Sequence, residues 1–223
     1  RLGADAQVGM ALYSGRLSYA DALMATVRTD RADGLFTTVV ADEHGVALGL
    51  VYSSRESVAE AIKTRSGVYW SRSRNSLWRK GATSGNQQAL VKIDVDCDRD
   101  ALRFTVRQTG DGFCHLGDRT CWGDEHSLGA LERMVRARRH TAPEGSYTKR
   151  LFDDSELLGK KIREEAQELV DAQTHDEIVW EAADVIYFTF VRMAAAGVSL
   201  EDVEKELARR TLKVRRRGGD AKE

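Results

Sequence analysis

An α+β chain, with a small mainly-β domain followed by an all-α helical bundle, is what the sequence predicts, on three observations. Residues 35–108 are built of short apolar runs separated by turn residues, as strands are. Beyond Gly123 the apolar residues recur at helical spacing between cap signals. All three cysteines fall between Cys97 and Cys121, beside a run of alternating aspartates. The division expected is an N-terminal extension of unknown role over 1–32, a β domain over 33–124 and a helical domain over 125–223.

The bulk numbers narrow the class. With 42% hydrophobic and 31% charged residues among 223, the composition is that of a globular protein. Basic residues number 34 and acidic 35, a net charge of -1 that argues against nucleic acid or an anionic membrane as partner. No apolar run approaches a membrane span. The chain opens on Arg1-Leu-Gly without an initiator Met or an apolar leader, so the expectation is a piece of something longer with no secretory signal. An odd number of cysteines so close together suits metal ligation in a reducing compartment, which points to the cytoplasm.

Ser18-Tyr-Ala-Asp21 has capping-box form and opens a short helix with Leu23, Met24 and Val27 inward. Leu35 to Val40 and Val46 to Tyr52 form a hairpin across Asp42-Glu-His-Gly45. Ser54-Arg-Glu-Ser57 starts a helix that Gly67 is placed to end, and Val68-Tyr-Trp70 starts another strand. Leu90 to Ile93 leads into an acidic strand, with Leu102 to Gln108 as its partner across a turn at 99–101. In the second half Leu128, Leu131, Met134 and Val135 make an apolar stripe, with Arg133, Arg136, Arg138 and Arg139 outward. Thr141 to Gly145 breaks that helix, and Pro143 is read as a boundary marker. Asp153 or Asp154 caps the next helix. Thr174-His-Asp-Glu177 boxes a long one stopped by Gly197, and Ser199-Leu-Glu-Asp202 begins the last.

Four stretches carry chemistry. In Asp94-Val-Asp-Cys-Asp-Arg-Asp100 the aspartates stand at every second position, so an extended strand would put them on one face and Cys97 on the other. A hard cation such as Mg2+ relieves that repulsion, whereas a thiolate suits zinc; an acidic surface turn with a free cysteine is the alternative. Residues 71–85 interleave Arg72, Arg74, Arg79 and Lys80 with hydroxyls, glycines and, together with Trp70, two indoles, which equips a loop to hold phosphate and stack a base; otherwise it is a solvated basic loop. Cys114, His115 and Cys121 can share a zinc with Cys97, and three protein ligands leave a position open for a water that the metal acidifies. A structural zinc with His115 as fourth ligand is the other reading. Lastly, Glu164, Glu165 and Glu168 on one helix, and Glu181 and Asp184 on another that is apolar nearly all round, can present carboxylates to Mg2+ carrying a polyphosphate; a solvated helix face is the alternative. Arg209-Arg210 and Arg215-Arg-Arg217 are a cationic tail that either contacts a phosphate or is solvated.

Residues 34–123 resemble phosphoribosyl-AMP cyclohydrolase through Tyr69-Trp-Ser-Arg-Ser-Arg74, Leu77-Trp-Arg-Lys-Gly81, Thr83-Ser-Gly85, Asp96-Cys-Asp-Arg-Asp100 and Cys114-His115 with Cys121. Residues 127–217 resemble phosphoribosyl-ATP pyrophosphohydrolase through Gly145-Ser-Tyr-Thr148, Lys161-Ile-Arg-Glu-Glu-Ala-Gln-Glu-Leu169 and Glu181-Ala-Ala-Asp184 with Tyr187. The order is similar to the front of the fungal trifunctional histidine-biosynthesis proteins, whose histidinol dehydrogenase part is absent from this sequence. The resemblance implies cleavage of phosphoribosyl-ATP to phosphoribosyl-AMP and pyrophosphate, then opening of the adenine ring between N1 and C6 by a zinc-activated water. It implies zinc on Cys97, Cys114 and Cys121, Mg2+ on Asp96, Asp98 and Asp100, and Mg2+ on Glu164, Glu165, Glu168, Glu181 and Asp184. His115, Glu165 and Glu168 would be catalytic. Trp70, Ser71, Arg72, Ser73, Arg74, Trp78, Lys80, Thr83, Ser84, Gly85, Ser146, Tyr147, Thr148 and Lys161 would bind substrate. A homodimer sharing zinc across its interface is also implied. The sequence departs from the families at Trp122, where Phe is common, and at Phe188, where His often follows Tyr187. Two other outcomes are weighed: one half active and the other a dimerisation scaffold, or a zinc-stapled nucleotide- or RNA-binding module.

Overall fold

The computed structural model describes residues 8–211, and the chain divides into two compact units between Glu125 and His126. In the first, α1 (Met10–Tyr13) and α2 (Tyr19–Met24) precede β1 (Phe36–Asp42), β2 (Ala47–Ser53), α3 (Arg55–Thr64), β3 (Val68–Ser71), β4 (Ser76–Arg79), β5 (Gln88–Val95) and β6 (Ala101–Gln108). The second holds α4 (Leu128–Thr141), α5 (Tyr147–Asp153), α6 (Ser155–Asp171), α7 (His175–Ala196) and α8 (Leu200–Thr211). The α+β class stands as predicted, mainly-β unit first.

The six strands form one curled sheet in the order β4-β3-β2-β1-β6-β5. Strands β1 and β2 form the expected hairpin, closed where the Asp42 carboxylate accepts the main-chain N–H groups of His44 and Val46. Strand β1 also pairs parallel with β6, Val40 opposite Phe104. It is thus flanked on both edges, as its near-continuous burial requires. The sheet curls because Gly67 N–H donates to Gln88 and Leu90 N–H to Arg65, drawing the start of β5 to the end of α3. Inside lie Val40, Leu48, Val58, Tyr69 and Phe104, fully buried. The Tyr69 hydroxyl donates to Gln88 Oε1 at 2.6 Å, and burial pushes its pKa up so that it stays neutral.

Several expectations need correction here. Helix α3 is closed by Arg65 in the left-handed region, φ 50°, not by Gly67. Gly67 is needed because a Cβ there would overlap the Gln88 side chain. The basic stretch is not all loop. Residues 76–79 pair with β3, and Trp78 packs against Tyr69 with ring centroids 5.9 Å apart. Met24 and Val27 are buried in the first core, so the described part of residues 1–32 packs on this unit.

In the helical unit Val135, Leu151, Leu158, Phe188, Phe190 and Val191 make the core. Asp154 caps α6, and Thr174 with Glu177 forms the capping box of α7, which Gly197 ends at φ 73°. Pro143 lies between α4 and α5, inside this unit, and marks no domain boundary. The outward arginines of α4 are not all solvated, since Arg139 donates to the Ala194 carbonyl at 2.9 Å. Nor is α7 covered all round: Ile178, Val179 and Trp180 are exposed, because the neighbouring helices cover one side of it. Arg209 and Arg210 pair with Glu206, and Arg215 to Arg217 lie outside the described residues. Among the described residues no single helix is long and apolar enough to cross a membrane.

Candidate active sites

The loop after β6 builds the thiol site. Phe113 N–H donates to Arg119 and Cys114 N–H to Asp118, both at 3.0 Å, folding the loop onto itself over Gly112, where a Cβ would strike the Asp118–Arg119 main chain. Cys121 N–H then donates to Leu48 at 2.8 Å, tying the loop to β2. Gly49 leaves the space: a Cβ would overlap Phe113 and lie 3.1 Å from Cys121 Sγ. Arg119 fixes the loop further, its guanidinium 2.9 Å from the buried Asp42 carboxylate and 3.1 Å from Glu125.

Cys114 is buried and hydrogen-bonded to Cys121, whose pKa is raised by burial first and then by Cys114, with the Lys80 charge opposing. Burial lowers the pKa of Lys80, and the two thiols work against that. Two thiols side by side, next to the buried Lys80, are a donor set that a soft divalent cation fits. A cavity of about 460 Å³ opens beside them, lined by Trp78, Lys80, Thr83, Ser84, Asn86 and His115 among others. Gly81, at φ 79°, packs against the Asn86–Gln87 main chain, and Asn86 Oδ1 accepts the Asp111 N–H, so this wall is braced from two loops. Gly85 sits in the same turn at φ 78°. Asn86, Gly49 and Arg119 are the residues that sequence reasoning missed; only Asn86, next to Thr83-Ser-Gly85, carried a local signal.

Cys97 does not join this pair, for the three sulfurs do not gather within 4.8 Å among the described residues. It is exposed in the β5–β6 turn. That turn also corrects the strand-face expectation. Asp94, on β5, faces Lys92 at 2.7 Å and Arg103 at 2.8 Å, whereas Asp96, Asp98 and Asp100 lie beyond the strand end with carboxylate oxygens all within 4.8 Å of one another. The turn closes because Asp96 Oδ1 accepts the N–H groups of Asp100 and Ala101, at 3.0 and 3.1 Å, and because Arg99 takes φ 69°. These main-chain donors lower the Asp96 pKa, while Asp98, foremost, raises that of Asp100. Crowded, exposed carboxylates of this kind are a donor set that a hard cation would fit.

The basic hairpin is divided. Trp70 and Arg72 line a separate cavity of about 360 Å³, with Asp33, Ser54 and Asn75. Arg72 lies over the Tyr52 ring at 4.0 Å and Arg31 over the same ring at 4.6 Å. Ser71 makes 3.4 Å contacts with Ser73 and the Arg74 N–H, and Arg72, Ser73 and Arg74 are exposed at the tip. Arg79, counted among the phosphate-holding cations, pairs instead with Glu60 at 3.0 Å.

On the helices, Glu165, Glu168 and Glu181 bring carboxylate oxygens within 4.8 Å of one another; Glu164 and Asp184 stand outside that group. Lys161 Nζ lies 2.6 Å from Glu165 and 3.0 Å from Glu164, which raises its pKa. Glu181 Oε2 is buried without a hydrogen-bond partner. Desolvation first, then the charges of Glu168, Glu165 and Asp184, raise the Glu181 pKa. An orphaned carboxylate oxygen facing two more acids is what a divalent cation would satisfy. Ser146 caps α5 by accepting the Lys149 N–H, Tyr147 is half exposed and edge-on to Phe188, and Thr148 Oγ1 is 2.8 Å from the Tyr187 hydroxyl. Phe188 is buried, with Lys161 Nζ 5.7 Å from its ring centre.

The raised Glu181 pKa has a signed consequence. A carboxyl whose folded pKa exceeds its unfolded value supports the fold while protonated and loses that contribution as pH rises through the folded value. Metal-free protein is therefore expected to lose stability, relative to Glu181→Gln, as pH climbs from about 4.5 toward neutrality. Thermal melts of both across that range, with and without Mg2+, check this: Mg2+ should close the gap, and a gap that never opens would contradict it.

Comparison with known proteins agrees with this architecture. Residues 49–123 match the phosphoribosyl-AMP cyclohydrolase family and residues 128–211 the phosphoribosyl-ATP pyrophosphohydrolase family. The chain is 55% identical over 207 residues to the Histidine biosynthesis trifunctional protein of Kluyveromyces lactis, an alignment covering 92% of this chain and 26% of that one. It is also 55% identical over 207 residues to the Histidine biosynthesis bifunctional protein his7 of Schizosaccharomyces pombe, covering 93% and 49%. To the Histidine biosynthesis bifunctional protein HisIE of Parasynechococcus marenigrum it is 41% identical over 187 residues, covering 74% and 84%. The chain belongs to the family of histidine-biosynthesis proteins that join a cyclohydrolase domain to a pyrophosphohydrolase domain. It spans about a quarter of the fungal trifunctional relative and about half of the S. pombe one.

Proposed function

We propose that the chain carries out two consecutive hydrolyses of histidine biosynthesis. In the helical unit, water attacks the α-phosphorus of phosphoribosyl-ATP and the α–β anhydride breaks, releasing pyrophosphate and leaving phosphoribosyl-AMP. In the β unit, water adds at C6 of the N1-substituted adenine and the C6–N1 bond breaks. C6 becomes a carboxamide and N1 leaves with a proton. The observation that carries this reading is the cavity in which Lys80, Thr83 and Ser84 stand beside the Cys114–Cys121 pair, a nucleotide-sized space bordered by a soft-metal donor set.

Cys114 and Cys121 would hold zinc with Cys97, and the separation of Cys97 within one chain is what a homodimer lending that thiol across its interface would produce. Zinc, when bound, makes a water nucleophilic near neutral pH. Trp78 offers a face to the base, Lys80 a positive charge, and Thr83 and Ser84 hydroxyls to phosphate or ribose oxygens. His115, which lines the cavity, would move a proton. Asp96, Asp98 and Asp100 would take Mg2+ in the β unit. In the helical unit Glu165, Glu168 and Glu181 would take Mg2+, with Glu164 and Asp184 beside them. Magnesium, when bound, screens the polyphosphate charge. Lys161 then holds Glu164 and Glu165 in place. Reduced thiols suit a cytoplasmic setting.

Feeding purified chain phosphoribosyl-ATP, with zinc and magnesium, tests the reading. Pyrophosphate should appear first and the ring-opened product after it. Pyrophosphate alone would support a single active half. Binding of the mononucleotide without turnover would favour a nucleotide-binding module.

A further inference from the structure

We propose that the strap between α2 and β1, residues 25–35, braces the acidic turn for its metal through one main-chain hydrogen bond, from the Arg28 N–H to the Arg99 carbonyl at 2.8 Å. The proposal rests on the reading of Asp96, Asp98 and Asp100 as a Mg2+ site. Arg99 is the turn's left-handed residue, at φ 69°, a conformation that residues with a Cβ avoid. Three carboxylates drawn within 4.8 Å of one another repel, and that repulsion pushes the turn to open. A donor fixed from outside opposes both tendencies.

Arg28 is such a donor, because the strap is anchored on either side of it without help from the turn. Before it, Met24 is 2% and Val27 3% exposed, both within the core of the β unit, and Arg55 donates to the Met24 carbonyl at 2.8 Å. After it, Thr29 Oγ1 donates to the Leu35 carbonyl at 2.7 Å, and Leu35 leads directly into β1. The Arg28 N–H is therefore held in place by the sheet, and the Arg99 carbonyl docks onto it. The extension thereby gains a role: Arg28 is a positioning residue for the turn, acting through its backbone and not its charge.

The test is Mn2+ affinity, read by the electron paramagnetic resonance of free Mn2+, on the full chain carrying Glu168→Gln and Glu181→Gln so that the helical acids do not compete. Arg28→Ala keeps the N–H and should bind within about twofold of that parent. Arg28→Pro removes the N–H and should bind about tenfold more weakly. Equal affinity in the proline variant, or an equal loss in the alanine variant, would overturn the brace. A parent that binds no Mn2+ at all would remove the metal reading and the brace with it. Should Arg28→Pro fail to fold, amide hydrogen exchange on the unsubstituted chain decides. Coupling is reciprocal, so Mg2+ should raise protection of the Arg28 amide together with those of Asp100 and Ala101. Protection gained at Asp100 and Ala101 but not at Arg28 would sink the proposal.

Discussion

Cys114→Ser is expected to cut ring opening of phosphoribosyl-AMP by about 10³-fold or more, while pyrophosphate release from phosphoribosyl-ATP stays within about twofold of the parent. The thiol of Cys114 is buried beside that of Cys121, so the hydroxyl would sit in the same place with the wrong chemistry. An alcohol does not ionise near neutral pH as a zinc-bound thiol does, so zinc content per chain should fall with the activity. Steady-state assays of the two reactions on the same preparation, with zinc analysis, decide the matter. Both activities falling together in a folded variant would show that the two units are not independent sites.

The second large effect is the mirror of the first. Glu168→Gln removes one of three gathered carboxylates, and pyrophosphate release is expected to fall about 10²-fold or more with ring opening untouched. The metal-free variant should melt higher than the parent, because one like charge facing Glu181 is gone. A gain in stability with a loss of turnover is hard to produce by misfolding. Lower stability combined with unchanged pyrophosphate release would count against the cluster as a metal site.

The helical half was legible largely because its signals are local. Thr174 with Glu177, Asp154 and Gly197 cap helices through residues four or fewer positions away, and the structure keeps each of them. The β1–β2 hairpin was readable for the same reason, with Asp42-Glu-His-Gly45 as its turn. The parallel pairing of β1 with β6 left no local trace, because Val40 meets Phe104 only after α3 and four strands have intervened. Strand β4 was hidden by composition: Ser76-Leu-Trp-Arg79 is exposed apart from Trp78, so it shows no buried face. In the acidic stretch the period of two was misleading. Alternation marks a strand only when one set of side chains is apolar, and in Asp96 to Asp100 neither set is, so Arg99 was free to turn the chain.

The site residues divide along the same line. Glu165, Glu168 and Glu181 follow from helical spacing on two neighbouring helices, and the structure gathers them. The cavity residues Trp78, Lys80, Thr83 and Ser84 lie in one hairpin and its following turn, so sequence order brings them together. Trp70 and Arg72 belong to the same run of sequence, yet they line the other cavity with Asp33. Alternation along β3 separates neighbours that linear spacing had grouped. Arg119 had no local signal at all, since its partner Asp42 is on β1 and meets it only in the folded sheet.

Two separate metal-assembled hydrolytic sites in one chain are tested most directly by exhaustive chelation followed by add-back, with both reactions assayed on the same folded protein. Chelated protein should release no pyrophosphate and open no ring. Mg2+ alone should restore pyrophosphate release, and ring opening should return only when zinc is supplied as well. Chelated protein that keeps its fold and turns over both substrates would contradict it.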